Sequence, residues 1–335
     1  MAVLQAQFPT LADHASRLDP NGKVDVIVQM LSQKNEILDD MVWMESNEAT
    51  AHTSTIQTGL PQGTWRKAYQ GVQPTKGETA QIKETMGNLE GYAEVDKMIA
   101  DLNGNTNEFR LSESKGFLEG LSQQMAQTLI YGNDAVDNSQ FTGLAARFNT
   151  VNPATAKTAQ NVIDAGGTGS DNTSVWLVGW SQKTICGLFP KGQKAGLNME
   201  DKGQQTIVKP QAEGGGMYEA YRSHYQWQAG LLVRDWRYAV RICNIDVSDL
   251  RTSDVSRKAL IALMTLATET IESLTGVKPV WYMNRTVRAM LRQGIVDKIA
   301  YNLTTETVAG KVVTMFDGIP VRRVDQILNT EARVV

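Results

Sequence analysis

Gly187 and Gly192 have the spacing of a phosphate-cradling loop, in which backbone N–H groups wrap an anion and a Lys followed by Ser or Thr completes the site. Gln193 and Lys194 stand at those two positions, so the closing residues are missing. Gly179-Trp180-Ser181-Gln182-Lys183 begins like the strained turn that exposes a nucleophilic serine, but Lys183 replaces the glycine that permits the turn, and no histidine is paired with it. Cys186 and Cys243 lie 57 positions apart with no Cys or His at ligand spacing, and they read as reduced thiols. His14, His52 and His224 are equally isolated. Asp39 and Asp40 are adjacent rather than facing, which reads as a solvated helix surface. These residues predict no catalytic, cofactor-binding or metal site, and they count against a hydrolase built on an oligomeric α/β scaffold.

Composition agrees. The 335 residues are 41% hydrophobic and 21% charged, as in a soluble globular protein with about two domains. The 33 basic and 36 acidic residues give a net charge of -3 without long runs of either sign, so no dedicated nucleic-acid face is visible. Residues 1–10 carry no basic residue and no sustained apolar run, so no secretory signal is expected. The longest apolar stretch, from Ala259 to Ala267, is broken by Thr265 and is too short to span a bilayer.

With no reactive cluster to position, the elements themselves carry the information. Phe117, Leu121, Met125 and Leu129 fall four apart and predict a long helix over 112–131, capped by Ser112 or Ser114, with Gly132 as its left-handed terminator. A shorter helix is expected from Ser32 to Trp43, another over 255–274 with Asp254 as cap and Gly276 as stop, and a third over 286–292. Period-two patterning predicts strands at 176–180, 231–243 and 279–283, the second wet on one face, and a hairpin over 311–324 turning near Gly318. Residues 145–174 read as a surface connection, and the glycine-rich stretch after Trp180 as an ordered loop or long hairpin. Residues 1–30, with Pro9, Pro20 and Gly22, suit an extended arm. Between 53 and 90, Ile56, Thr58 and Leu60 alternate on one limb and Ala80, Ile82, Glu84 and Met86 on the other, about a tip at 71–77. A lone two-stranded hairpin is marginal in water, so something outside that segment must cover it.

The order of Leu129-Ile-Tyr-Gly-Asn133, Phe141-Thr-Gly-Leu144, Trp176-Leu-Val-Gly-Trp180, Phe189-Pro-Lys-Gly192 with Gly196-Leu197, and Asp317-Gly-Ile-Pro-Val-Arg322 with Asn329-Thr-Glu331 resembles the major capsid proteins of tailed bacteriophages. The resemblance spans nearly the whole chain and is greatest to short-tailed phages of the epsilon-fifteen kind. It implies an α+β fold of the Hong Kong 97 type: an N-terminal arm at 1–30, a peripheral domain from 31–52 and 91–250 with its spine helix at 112–131, an extended E-loop at 53–90, and an axial domain at 251–335. It also implies a virion subunit, assembled in the host cytoplasm into hexamers and pentamers that enclose double-stranded DNA without sequence-specific contacts and without a membrane, helped by scaffold, portal and decoration proteins. The E-loop of such proteins lies across a neighbour, which makes Trp65, Tyr69, Ile82 and Met86 the candidate intersubunit contacts. Some members cross-link a loop lysine to an asparagine; Lys67 or Lys76 would be that lysine, but no partner asparagine is evident and noncovalent closure is favoured. A cargo-holding nanocompartment shell of encapsulin type is the alternative. One departure stands out: in the type member the strand comparable to 231–243 lies near the C-terminus, whereas here about ninety residues follow it.

Overall fold

The computed structural model describes residues 33–104, 106–209, 215–296, 303–308 and 311–335; the expected arm at 1–30 lies outside them. In chain order the helices are α1 (Ile37–Asp40), α2 (Lys97–Ala100), α3 (Thr106–Tyr131), α4 (Leu144–Arg147), α5 (Val247–Thr252), α6 (Asp254–Thr270) and α7 (Arg285–Val296). The strands are β1 (Trp43–Glu45), β2 (Ala51–Gly59), β3 (Glu78–Thr85), β4 (Gly87–Asp96), β5 (Val162–Asp164), β6 (Asn172–Trp180), β7 (Ile185–Phe189), β8 (Asn198–Val208), β9 (Met217–Val233), β10 (Ala239–Asp246), β11 (Lys278–Met283), β12 (Leu303–Val308), β13 (Lys311–Phe316) and β14 (Ile319–Arg323). The chain divides into two compact units, of which one holds Asn88–Met125 and Gly196–Gln228 and the other Lys34–Gly87, Ala126–Ala195 and Ala229–Val335.

In the smaller unit, β8 and β9 form the long hairpin expected after Trp180, paired from Asn198↔Gln226 to Val208↔Met217, with an irregularity at Asp201/Gly203. Gly203 supplies the positive φ of +67° there. Apolar residues spaced along α3 meet this unit's strands in two small clusters, one around Phe109 with Val95, Ile99 and Tyr221, the other around Leu121 with Ala93, Phe117 and Tyr225. Phe117 and Tyr225 stack with ring centroids 5.6 Å apart, and Arg110 reaches Asp201 at 2.5 Å. The helix begins six residues before the expected 112. Ser114 is therefore no cap; its hydroxyl donates back to Arg110 O, 2.9 Å away, inside the helix.

The larger unit is built on the mixed sheet order β14-β11-β6-β10-β5, with β11 and β10 antiparallel to β6 on either side and β14 parallel to β11. Helices α5, α6 and α7 bury Leu250, Leu260, Met264, Val287 and Leu291 against Val175, Val240, Ile242, Trp281 and Val321. Ser253, not Asp254, caps α6, accepting from Ser256 N, and α6 ends at Thr270, well short of Gly276. The turn between β13 and β14 places both Asp317 (φ 52°) and Gly318 (φ 73°) in the left-handed region, the geometry of a tight hairpin that Gly readily accepts.

Several expectations are corrected. The stretch 231–243 is two strands, because the Trp236–Tyr238 turn ends β9 and starts β10. Nor is β10 wet on one face: helices cover one side, and on the other Arg241 is buried with a guanidinium partner set of its own. The region 145–174 contains α4, β5 and the start of β6 rather than a bare connection. A boundary at 250 does not separate domains, since β11 and β14 complete the sheet of β6 and β10 and share its core. The helix expected over 32–43 is a single turn, α1, followed by β1 pairing with β7. Asp40 is consequently no solvated surface residue; it is buried, with Lys278 Nζ 2.8 Å and Arg322 Nε 3.3 Å from its carboxylate. Gly132 ends α3 for a different reason than supposed. Its φ is not left-handed; a Cβ there would fall 2.5 Å from the carbonyl oxygens of Thr128 and Phe141, so the site demands close backbone approach. Gly143 donates to Gly132 O at 2.8 Å and is equally confined.

Segment 328–335 is fastened into this unit by polar bonds. Arg241 donates to Glu331 at 2.8 Å, to Phe148 O at 2.8 Å and to Ser174 Oγ at 3.0 Å, and lies over the Trp176 ring. Tyr131 OH donates to the other oxygen of Glu331 at 2.5 Å, while Ser174 Oγ also donates to that carboxylate. Burial and the adjacent Glu331 charge push the Tyr131 phenol well above its ordinary range, so it stays a donor. Asn244, at a φ of 55°, brackets Val334 with both ends of its amide, each at 2.8 Å.

Candidate assembly surface

The segment predicted as a self-insufficient hairpin is a two-stranded ribbon separate from the main sheet, β2 paired antiparallel with β3 from Ala51↔Thr85 to Gly59↔Glu78. Its limbs run over 51–59 and 78–85, and residues 87–96 belong to the separate strand β4. Ribbons of this kind need outside support, and the base supplies it. Ile82 and Met86 pack with Val42 and Met44 against the buried trio Cys186, Leu188 and Leu232. Glu84, on the same inward register as Ile82, receives two parallel bonds from Arg147, at 2.7 and 2.6 Å, a bidentate geometry with both side chains largely buried. Arg147 also donates to Thr142 O at 3.2 Å, tying the ribbon to the loop after α3. Gly230 admits this base: a Cβ there would lie 2.8 Å from Met86 Cγ and 3.0 Å from Thr85 O.

His52 is a buried titratable group of the base. Asn47 N donates toward its Nδ1 at 3.2 Å and Arg234 Nη2 lies 3.3 Å from Nε2. Both ring nitrogens thus face donors, and an added proton would have no acceptor. Burial, and then the Arg234 charge, hold its pKa below the usual histidine value. Glu48, which accepts from Thr53 and pairs with Lys83 at 3.0 Å, pulls weakly the other way.

Away from the base the support stops. Every residue from 61 to 81 is exposed. Trp65 and Tyr69 are as open as isolated side chains, at 101% and 105% relative exposure. A turn at Lys67–Gln70, closed by Gln70 N to Lys67 O at 3.2 Å, holds Tyr69 at a φ of 67°, an uncommon conformation for a bulky residue. Between 60 and 77 the charged residues are Arg66, Lys67 and Lys76, all basic. Of the four candidate contacts, then, the structure leaves Trp65 and Tyr69 fully open, while Ile82 and Met86 already turn onto the chain's own core. Sequence reading missed Arg147, His52 and Gly230 as parts of this site; the inward register of Glu84 was the available signal that a cation must meet it.

Among the described residues no group of three or more His, Cys, Asp or Glu side chains is gathered as a metal would need, and no helix is long and apolar enough to cross a membrane.

The ribbon is thus anchored at its base and carries two bare aromatic side chains at its tip. The family model described as major capsid protein GP7 matches residues 19–335, and the chain belongs to that family of phage head subunits. Among solved structures it is similar to that of bacteriophage Epsilon15, with 35% identity and a TM-score of 0.77 over 100% of this chain and 99% of that one. The capsid of bacteriophage JBD30 shares the fold, at 10% identity and a TM-score of 0.50 over 89% of this chain and 92% of that one. No curated protein matches. The fold is therefore the mixed α+β phage-capsid fold, and the protein is a structural subunit of the virion head.

Proposed function

We propose that copies of this chain close into hexamers and pentamers around double-stranded DNA, and that the ribbon at 51–85 is an E-loop whose tip lies on a neighbouring copy. In this reading Trp65 and Tyr69 are the contact residues, while Ile82 and Met86 hold the ribbon to its own subunit. The observation that carries it is the contrast along one ribbon: a base secured by Arg147–Glu84 and an apolar cluster, and a tip with two fully exposed aromatic side chains. Aromatic anchors of this sort often dominate interface energy. The subunit acts by assembly and not by turnover, with scaffold, portal and decoration proteins as further partners and with DNA held without sequence readout. Closure is noncovalent, Lys67 and Lys76 remaining free amines. Association costs roughly 4 to 15 kcal/mol of lost freedom per subunit, which several modest contacts meet while still letting misplaced copies leave.

The test is Trp65→Ala with Tyr69→Ala. The isolated subunit should keep its helical signal and melting temperature while shell yield, counted by electron microscopy, falls at least about tenfold, the scale of two lost aromatic anchors. Unfolding of the subunit by this double variant would place both rings in an internal core and withdraw the E-loop reading.

A further inference from the structure

A groove of about 380 Å³ runs along the middle of α3 in the smaller unit, from Glu113 to Gln124. Its floor is apolar. Phe117 and Leu121 line it, and a Cβ on Gly91 of β4 would rest 3.7 Å from the first and 3.9 Å from the second, ordinary contact distances. Gly116 and Gly120, one turn apart, open onto the same groove. Glycine is among the least favourable residues for a helix interior, and neither position needs it locally. Neither has a positive φ, and a Cβ on either would meet nothing within 4 Å. Beside an apolar floor, what two such glycines supply is room for a second backbone to lie close to the helix.

The chain itself arrives at this place. Gln33, the first described residue and a member of the same unit, donates its N–H to Glu119 Oε1 at 2.8 Å. Glu119 stands between the two glycines in sequence, and Gln123 holds its carboxylate in position at 2.7 Å. Thirty-two residues precede Gln33, and Val24, Ile27, Val28 and Leu31 among them recur at the i, i+3, i+4, i+7 spacing of one apolar helix face. Pro9, Pro20 and Gly22, the residues that suit the arm to an extended course, all fall before Val24. At 1.5 Å per residue such a face is roughly 10 Å long and the groove roughly 17 Å, so the one is short enough to lie on the other.

We propose that residues 24–32 clamp onto the α3 groove of their own subunit, with Val24, Ile27, Val28 and Leu31 set against Phe117, Leu121 and the two glycines. A segment tethered at Gln33 meets the groove of its own chain at a far higher effective concentration than any segment arriving from outside. That argument selects this occupant over the arm of a second copy. The arm is then divided: residues 24–32 belong to the subunit, and residues 1–23 are its free part. The inference stands on the smaller unit alone and not on the shell reading above.

Hydrogen exchange of the full-length, unassembled subunit, read by peptide mass spectrometry, tests the clamp. Amides of 24–32 should exchange at least about tenfold more slowly than those of 1–16, the mark of a docked segment beside a loose one. Gly120→Leu fills the groove and should return 24–32 to the rate of 1–16, while the exchange of α3 and the melting of the subunit change little. Should that variant unfold the subunit, Val28→Asp with Leu31→Asp should release the segment from the arm side in the same way. Equal rates for 1–16 and 24–32 in the unaltered chain would overturn the clamp, and so would a 24–32 segment that stays protected in both variants. Protection that appears only as concentration rises would overturn it too, giving the groove to the arm of a second copy.

Discussion

His52 shows how one side chain links solution conditions to the ribbon. Its folded pKa lies below the ordinary value, about 6.5 in an unfolded chain. Between those two values the unfolded chain binds the extra proton and the folded one does not, so stability is full above about pH 6.5 and falls as the pH drops through that window. The denaturation midpoint of the subunit should therefore be lower at pH 5 than at pH 7.5, and His52→Asn should shrink that difference; an equal pH dependence in the variant would remove His52 from the account. Nothing in the sequence disclosed this, because His52 has no His, Cys or acidic residue at a telling spacing, and its donors come from Asn47 and from Arg234, 182 positions away. Asp40 was misread for a related reason: adjacency to Asp39 suggested a solvated surface, whereas its cations arrive from Lys278 and Arg322 at the far end of the chain.

Among the elements, those with local signatures were legible. The α3 stripe, the β11 strand, the α6 helix and the Asp317-Gly318 turn all follow from periodicity or turn chemistry. Where long-range packing decides, the pattern misled: Trp236 to Ile242 alternates as a half-wet strand should, yet a three-residue turn interrupts it and both faces of β10 are covered. The base of the ribbon is likewise a tertiary product, and Gly230 is its tightest point. Gly230→Ala should push Met86 and Thr85 away and cost about 1–3 kcal/mol, the usual penalty for overpacking. It should also speed proteolysis at the ribbon base more than elsewhere; an unaltered digestion pattern with unaltered stability would show that the base yields without strain.

At the scale of the whole molecule, assembly is the function, and the candidate site is a surface rather than a pocket. Its exposed aromatic tip was legible from the poverty of large apolar residues between 53 and 90, because a ribbon that cannot bury itself must look elsewhere. With noncovalent closure, purified shells boiled in detergent should run as one band at 36.9 kDa. A ladder of multiples would reveal lysine cross-links and direct attention to Lys67 and Lys76.

Cys186 and Cys243 are both buried, and burial lifts each thiol to about 11. At neutral pH almost none of either is thiolate, the form that alkylating reagents attack. Modification must then wait for the protein to breathe. Cys186 lies under the ribbon base and Cys243 in β10 beside β5, so the two thiols are a pair of internal clocks. Their separate labelling rates, resolved by peptide mass, would time the loosening of the ribbon and the opening of the sheet in one intact particle.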